Sequence, residues 1–119
     1  GDWPDNRSPQ IGSMHLDSKT SATDIVLKAG TRYDAAVVAS DPDGDPLTIR
    51  WEVMKESKAT QSGGDKEEIP QTIEGLLETP GQERTAITTP TAPGAYRLFV
   101  YVHDGQGNAG HANIPFLVE

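Results

Sequence analysis

The sequence predicts an all-β protein, an immunoglobulin-like antiparallel β-sandwich of about seven strands. Short runs in which apolar and polar residues alternate recur along the chain, and this is the period of a half-buried strand. Glycine, proline and aspartate separate these runs, and no helical pattern extends beyond two turns. Many short strands joined by turns are typical of a sandwich of two sheets.

The clearest pair of strands flanks an acidic turn at residues 41–46. This turn combines aspartates that bond their own backbone, a glycine free to adopt positive φ and two prolines that cannot continue a ladder. Apolar residues occupy every second position on both sides, so we expect one face of each strand to be buried. These positions are Tyr33, Ala35, Val37 and Ala39 before the turn, and Leu47, Ile49, Trp51 and Val53 after it.

Length and charge limit the classes of protein. With 119 residues, the chain is long enough for one domain and too short for two. Its net charge of -8 repels phosphate backbones and anionic lipid, so we expect neither nucleic acid nor a membrane surface as a partner. No apolar run approaches the ~20 residues that span a bilayer, and the N-terminus lacks the pattern of a signal peptide. The chain contains no cysteine, which excludes disulfides and thiolate metal sites.

The first part of the chain predicts a lead-in and a split first strand. Residues 1–10 hold two prolines and no periodicity, which indicates a linker or lead-in, whereas residues 11–119 form the predicted domain. Ile11, Met14 and Leu16 indicate a first short strand, and the run at residues 25–27 indicates a second. Together these two pieces are expected to act as one interrupted strand.

A long insert is predicted at residues 55–83. Its first part is polar and contains the sequence Ser-Gly-Gly-Asp at residues 62–65, which is typical of a surface loop. In its second part, Ile69, Ile73, Leu76 and Leu77 are spaced like one face of a helix. This spacing predicts either a short helical turn or a segment that caps one edge of the sandwich.

The last third of the chain holds the strongest strand signal. Residues 84–89 alternate, residues 96–103 form a longer alternating run, and residues 104–108 turn the chain round into a final strand. Trp51 shares the buried face of its strand, so we expect a core tryptophan. Tyr96 follows Pro93 and Gly94, where a tyrosine corner or an inward ring is expected.

The acidic turns suggest a calcium site. Asp41, Asp43 and Asp45 alternate as oxygen ligands of Ca²⁺ do, but Pro46 at the sixth position excludes a helix-loop-helix calcium loop. In the predicted topology the turn at residues 104–108 emerges at the same end, so Asp104 is expected to join them in an optional site. The alternative is that these aspartates cap their own backbone, which is the commoner role of exposed aspartate-rich turns. No cofactor is required by the sequence.

The outward face of the last strands is the predicted interaction surface. If Tyr96 and its alternating neighbours point inward, then Arg97, Phe99, Tyr101 and His103 must point outward. Leu117 of the final strand and Met54 of the third are expected to join Phe99 and Tyr101 in an apolar patch. The alternative is that the insert at residues 55–83 folds over this face.

The sequence offers no pattern typical of an enzyme. His15, His103 and His111 are far apart, and none accompanies a metal-ligand spacing or a serine in a nucleophile turn. No pair of carboxylates is marked out for acid and base roles. We therefore expect a protein that is not an enzyme.

Two stretches resemble a known family of modules. Residues 39–51 (Ala-Ser-Asp-Pro-Asp-Gly-Asp-Pro-Leu-Thr-Ile-Arg-Trp) and residues 93–107 (Pro-Gly-Ala-Tyr-Arg-Leu-Phe-Val-Tyr-Val-His-Asp-Gly-Gln-Gly) resemble polycystic-kidney-disease-type (PKD-like), cadherin-like and fibronectin-like sandwich modules. The insert at residues 55–83 departs from the compact PKD pattern. Residues 3–9 (Trp-Pro-Asp-Asn-Arg-Ser-Pro) and 96–105 (Tyr-Arg-Leu-Phe-Val-Tyr-Val-His-Asp-Gly) are also similar to the C-terminal accessory module that follows catalytic barrels in glycoside hydrolases of Bacteroidetes. The family's positions are occupied by Asp41, Asp43, Gly44, Trp51, Gly94, Tyr96 and Asp104.

This resemblance implies an extracytoplasmic, carbohydrate-related setting, and two functions compete within it. In the first, the chain is a structural or interaction module, monomeric by itself, that packs on an adjacent domain of a larger protein. In the second, it is a carbohydrate-binding module that contacts polysaccharide directly. Exposed aromatic rings placed for stacking would favour the second function.

Overall fold

The structure, a computed structural model, describes residues 8–56 and 72–119 and confirms the all-β prediction. Within this part of the chain there are seven strands and no helix, and hence no helix long and apolar enough to cross a membrane. The strands are β1 (Gln10–Leu16), β2 (Val26–Leu27), β3 (Arg32–Ser40), β4 (Thr48–Lys55), β5 (Arg84–Thr88), β6 (Gly94–His103) and β7 (Ala109–Val118).

Two sheets pack face to face with the immunoglobulin-like arrangement. One sheet has the strand order β1-β3-β5 and the other the order β2-β7-β6-β4. The predicted split first strand is confirmed, because β1 pairs with β3 in the first sheet and β2 pairs with β7 in the second. The β2 and β7 pair is parallel, whereas the other strand pairs in the described part of the chain are antiparallel.

A tight two-residue turn ends β1. Asp17 and Ser18 have φ values of 52° and 64°, and the backbones of Leu16 and Lys19 exchange hydrogen bonds of 2.8 and 2.9 Å. Positive φ at both central positions is the geometry of a type I′ turn, which normally favours asparagine and glycine. Neither of these two positions holds glycine or asparagine, so the sequence carries no signal for this turn.

The core lies between the two sheets and contains the residues that alternation predicted. Trp51 is 2% exposed, and its indole Nε1 donates a hydrogen bond to the carbonyl oxygen of Gln82 at 2.7 Å. The Tyr96 ring stacks on Phe116 with centroids 5.8 Å apart, and its hydroxyl donates to the Ala92 carbonyl at 2.7 Å. This hydroxyl bond to a carbonyl a few residues upstream is a tyrosine corner, as the sequence predicts.

Residues 72–82 close one side of the sandwich without forming a helix. Ile73 N donates to Val53 O on β4, and Thr88 N on β5 donates to Leu76 O, both at 2.8 Å. The segment therefore hydrogen-bonds to an edge strand of each sheet, and Ile73, Leu76 and Leu77 pack against the core. Of the two sequence-based alternatives, the capping segment is correct for these residues; Ile69 lies outside the described part of the chain.

Candidate functional site

The solvent-facing side of the β2-β7-β6-β4 sheet is the candidate interaction site, and we call it the outer face. The register of β4, β6 and β7 arranges its side chains in rows across the sheet. Arg50, Tyr101 and His111 form one row, and Val26 and Leu117 are partners at the β2 edge. The outer face comprises Val26, Arg50, Glu52, Met54, Arg97, Phe99, Tyr101, His103, His111, Asn113, Pro115 and Leu117.

Two aromatic rings occupy the centre of the outer face. Phe99 and Tyr101 point away from the core, as the alternation of β6 predicts, because Leu98, Val100 and Val102 are fully buried. The two rings are almost parallel, with an interplanar angle of 8° and centroids 6.2 Å apart. Both side chains are half-buried, so each still presents apolar surface to solvent.

Neighbouring polar side chains cover part of the Tyr101 ring. The Arg50 guanidinium carbon lies 4.8 Å from the ring centroid, which is a cation-π distance. The His111 ring is tilted by 42° with its centroid 6.4 Å away. Arg50 and His111 were not predicted as site residues, because placing them beside Tyr101 requires the pairing of strands that are distant in sequence.

Charges on the outer face are paired within the face or at its border. Arg50 Nη1 lies 2.6 Å from Glu52 Oε2, and Arg97 forms a salt bridge with Glu56. Arg97 Nη1 also donates to Asn113 Oδ1 at 2.5 Å. Although the chain carries a net charge of -8, Arg50, Glu52 and Arg97 on this face are each paired with an opposite charge.

The edge of the outer face at β2 is apolar. Leu117, predicted from sequence, is 47% exposed, and its partner Val26 is 46% exposed. Met54 is half-buried beside Thr72. Val26 was not predicted as a residue of the outer face because it lies between two buried residues, and a strand of two residues is too short to show alternation.

The described part of the insert does not extend over the centre of the outer face. Thr72 reaches its border, where the Thr72 hydroxyl donates to Glu52 Oε1 at 2.6 Å. From there the chain continues along the sandwich edge toward β5. The alternative in which the insert covers Phe99 and Tyr101 concerns residues 57–71, which lie outside the described part of the chain.

The acidic loops lie at one end of the sandwich, as the topology predicts, because Thr48 and His103 are register partners. Asp41, Asp43 and Asp45 each place a carboxylate oxygen within 4.8 Å of the others, and no other metal-ligating group of this kind occurs among the described residues. Asp41 also accepts backbone hydrogen bonds from Asp43 N at 3.3 Å and Asp45 N at 2.6 Å. Its carboxylate therefore caps the turn, as the alternative interpretation predicts.

Asp104 is not part of this group of three aspartates. It is 2% exposed and organises the turn between β6 and β7. Its Oδ1 accepts hydrogen bonds from Gln106 N at 2.7 Å and Asn108 N at 3.1 Å, and its Oδ2 accepts from Asn108 Nδ2 at 3.0 Å. Burial acts to raise the pKa of Asp104, but these hydrogen bonds favour the carboxylate and together hold the pKa below its ordinary value.

Asp104→Asn should destabilise the chain at neutral pH, because the new amide nitrogen would face the Asn108 amide or a backbone donor. A folded pKa below the unfolded value means that the carboxylate contributes its stability above about pH 3.9, the unfolded value. That contribution is lost as the pH falls through the folded pKa. Chemical unfolding of both proteins from neutral to acidic pH measures the difference. We expect the gap in unfolding free energy to narrow in acid, and a gap independent of pH would contradict this role for Asp104.

Comparisons with known proteins show the fold. No family model matches the sequence, and no curated protein matches it. The structure is similar to part of a nucleoside hydrolase-related hypothetical protein from Saccharophagus degradans that is associated with carbohydrate metabolism, with a TM-score of 0.55 and 15% identity. This match covers 96% of the present chain but only 26% of that protein.

A second solved structure shares the whole domain. It is PcoC, a methionine-rich copper resistance protein from Escherichia coli, with a TM-score of 0.53 and 13% identity. The match covers 95% of the present chain and 100% of PcoC. At these identities the two similarities establish a small β-sandwich and nothing finer.

Proposed function

We propose that this chain is a non-catalytic interaction module of a larger, exported, carbohydrate-active protein, and that its outer face packs on an adjacent domain. The observation that carries the proposal is the composition of the outer face. Two half-buried aromatic rings lie among charges that are already paired, and exposed Val26 and Leu117 continue the apolar surface to the sheet edge. Aromatic residues at the centre with satisfied polar groups around them are typical of protein interfaces.

The geometry of the rings favours a protein partner over a glycan. Sugars stack on the open face of an aromatic ring, but the Arg50 guanidinium lies over the face of Tyr101, 4.8 Å from the ring centroid. The aliphatic side chains of Leu117 and Val26 suit packing against another apolar surface. A carbohydrate-binding module is accordingly the second candidate, and the experiment below distinguishes it from a protein-docking module.

The proposed setting has two supports. The fold is shared with about a quarter of a protein associated with carbohydrate metabolism, so a sandwich of this kind forms part of a longer chain there. The PKD-like stretches of the sequence support an accessory module outside the cytoplasm. The parent activity, the export and the monomeric state of the isolated chain belong to the proposal.

Replacing Phe99 and Tyr101 with serine tests the proposed docking surface. The double variant Phe99→Ser/Tyr101→Ser is combined with the remainder of the parent protein, supplied as a separate polypeptide, and the Kd is measured by calorimetry. We expect binding to weaken at least roughly tenfold, because central aromatic residues carry much of an interface's free energy. The free energy of unfolding of the isolated chain should fall far less than it does for a core substitution.

Val38→Ser is the matched control, because Val38 is 60% exposed on the outward side of the other sheet. It should leave the Kd unchanged. Equal affinity of the double variant and the unmodified chain would refute the docking surface. Loss of binding to insoluble polysaccharide by the double variant, with docking unaffected, would establish the carbohydrate-binding alternative instead.

We also propose weak calcium binding by Asp41, Asp43 and Asp45, whose clustered carboxylate oxygens are the ligand type that Ca²⁺ prefers. Millimolar Ca²⁺ should raise the melting temperature relative to chelator, and Asp43→Asn should reduce the shift. An unchanged melting temperature would leave backbone capping as the role of this loop.

A further inference from the structure

A cavity opens at the side of the sandwich where residues 72–80 leave the edge of β4. Its volume is about 420 Å³, which is within the range of small-ligand and side-chain pockets. Ile73, Leu77 and Pro80 supply the apolar part of its lining, and Ile73 and Leu77 pack on the core behind it. The cavity therefore has a fixed apolar wall that belongs to the capping segment.

The charged part of the lining is acidic. Glu52 and Glu74 contribute two carboxylates, and Arg50 contributes the opposite charge. Both oxygens of Glu52 are engaged, since Oε2 contacts Arg50 and Oε1 accepts from the Thr72 hydroxyl. Glu74 is exposed, and it takes part in none of the salt bridges found among residues 8–56 and 72–119. One carboxylate is thus left to meet a cation beside the apolar wall.

Arg50 and Glu52 belong both to this cavity and to the outer face. A partner that covers Tyr101 would therefore extend over Arg50 to the mouth of the cavity. The outer face and the cavity are therefore continuous through Arg50 and Glu52.

We propose that the cavity receives a lysine or arginine side chain carried by the domain that docks on the outer face; this inference rests on the proposed function. Such a side chain joins a long apolar stem, which suits Ile73, Leu77 and Pro80, to a cationic head, which suits Glu74. An anionic ligand is disfavoured because Arg50 is already paired with Glu52. The net charge of -8 also favours encounter with a basic surface.

Small probes test the cavity without the partner. The isolated ¹⁵N-labelled chain is titrated with N-acetyl-lysine amide and N-acetyl-arginine amide, and with N-acetyl-norleucine amide as the uncharged analogue. We expect saturable shifts of the backbone amides of Glu52, Ile73, Glu74 and Gly75 with the cationic probes, and smaller shifts with norleucine. Glu74→Gln should raise the Kd of the cationic probes roughly threefold, which is the effect expected from losing a partly exposed ion pair.

Glu83→Gln is the matched control, because Glu83 is an exposed carboxylate outside the cavity lining. It should leave the titration unchanged. Three results would each overturn the proposal: equal shifts with the norleucine probe, equal weakening of binding by Glu74→Gln and Glu83→Gln, or shifts spread over the loop at residues 41–46.

The docking assay separates this inference from the proposed function. If both are right, Glu74→Gln weakens docking on the parent protein and reduces its dependence on salt. If the Phe99 and Tyr101 double variant docks more weakly but Glu74→Gln leaves the Kd of docking unchanged, only the cavity proposal is refuted. A third outcome is that the cationic probes bind saturably in the cavity while the double variant docks unchanged. That outcome would refute the docking surface, and the adjacent domain would then not be the source of the lysine or arginine side chain.

Discussion

We expect Trp51→Ala to lower the free energy of unfolding by about 3 to 5 kcal/mol, the range for deleting a large buried aromatic side chain. Trp51 is 2% exposed at the centre of β4, so the substitution leaves a cavity between the two sheets. It also removes the indole donor from the Gln82 carbonyl, which is bonded at 2.7 Å. That bond helps to hold residues 72–82 against the sandwich edge, and urea unfolding monitored by circular dichroism measures the total loss.

Trp51→Phe separates the two contributions. Phenylalanine keeps part of the buried volume but cannot donate to Gln82, so we expect a loss between that of the alanine variant and zero. Faster amide exchange at residues 78–86 in both variants would show that the indole bond secures the capping segment. A loss below about 1 kcal/mol for Trp51→Ala, typical of surface positions, would contradict the packing described for β4.

Thr89→Val should cost about 1 to 3 kcal/mol, although valine has nearly the same shape, because buried backbone groups would lose their partner. Thr89 is 1% exposed. Its hydroxyl accepts from Thr31 N at 2.9 Å and donates to Lys28 O at 2.5 Å. A single side chain thereby joins the segment after β2 to the start of β3, and equilibrium unfolding in urea gives the cost.

Thr88→Val is the control for Thr89→Val. Thr88 is the adjacent residue and is exposed, so the same chemical change should be nearly neutral there. Thr89→Ser keeps the hydroxyl and should recover part of the loss. If Thr88→Val and Thr89→Val cost the same, the buried hydroxyl network does not stabilise the fold.

Alternation in the sequence was sufficient to place side chains whose environment is decided within one strand. The positions of Trp51 in the core and of Phe99 and Tyr101 on the outer face follow from the two-residue period of β4 and β6 alone. The tyrosine corner at Tyr96 was also predictable, because it is formed with the Ala92 carbonyl only four residues away.

Features that depend on pairing between distant segments were not predictable in this way. Leu117 and Val26 meet through a parallel pair that no local pattern indicates. Ile73, Leu76 and Leu77 have helical spacing in the sequence, but they belong to a non-helical segment held by hydrogen bonds to β4 and β5. Asp104 was expected among the calcium ligands, but its own turn supplies enough donors to bury it.

Hydroxyl-radical footprinting of Phe99 and Tyr101 tests the central claim, that the outer face is a docking surface, most directly. The labelling rates of both rings are compared between the isolated chain and the intact parent protein, with exposed Val38 as an internal reference. We predict that Phe99 and Tyr101 become protected in the parent protein whereas Val38 does not. Equal labelling of the two rings in both proteins would contradict the account.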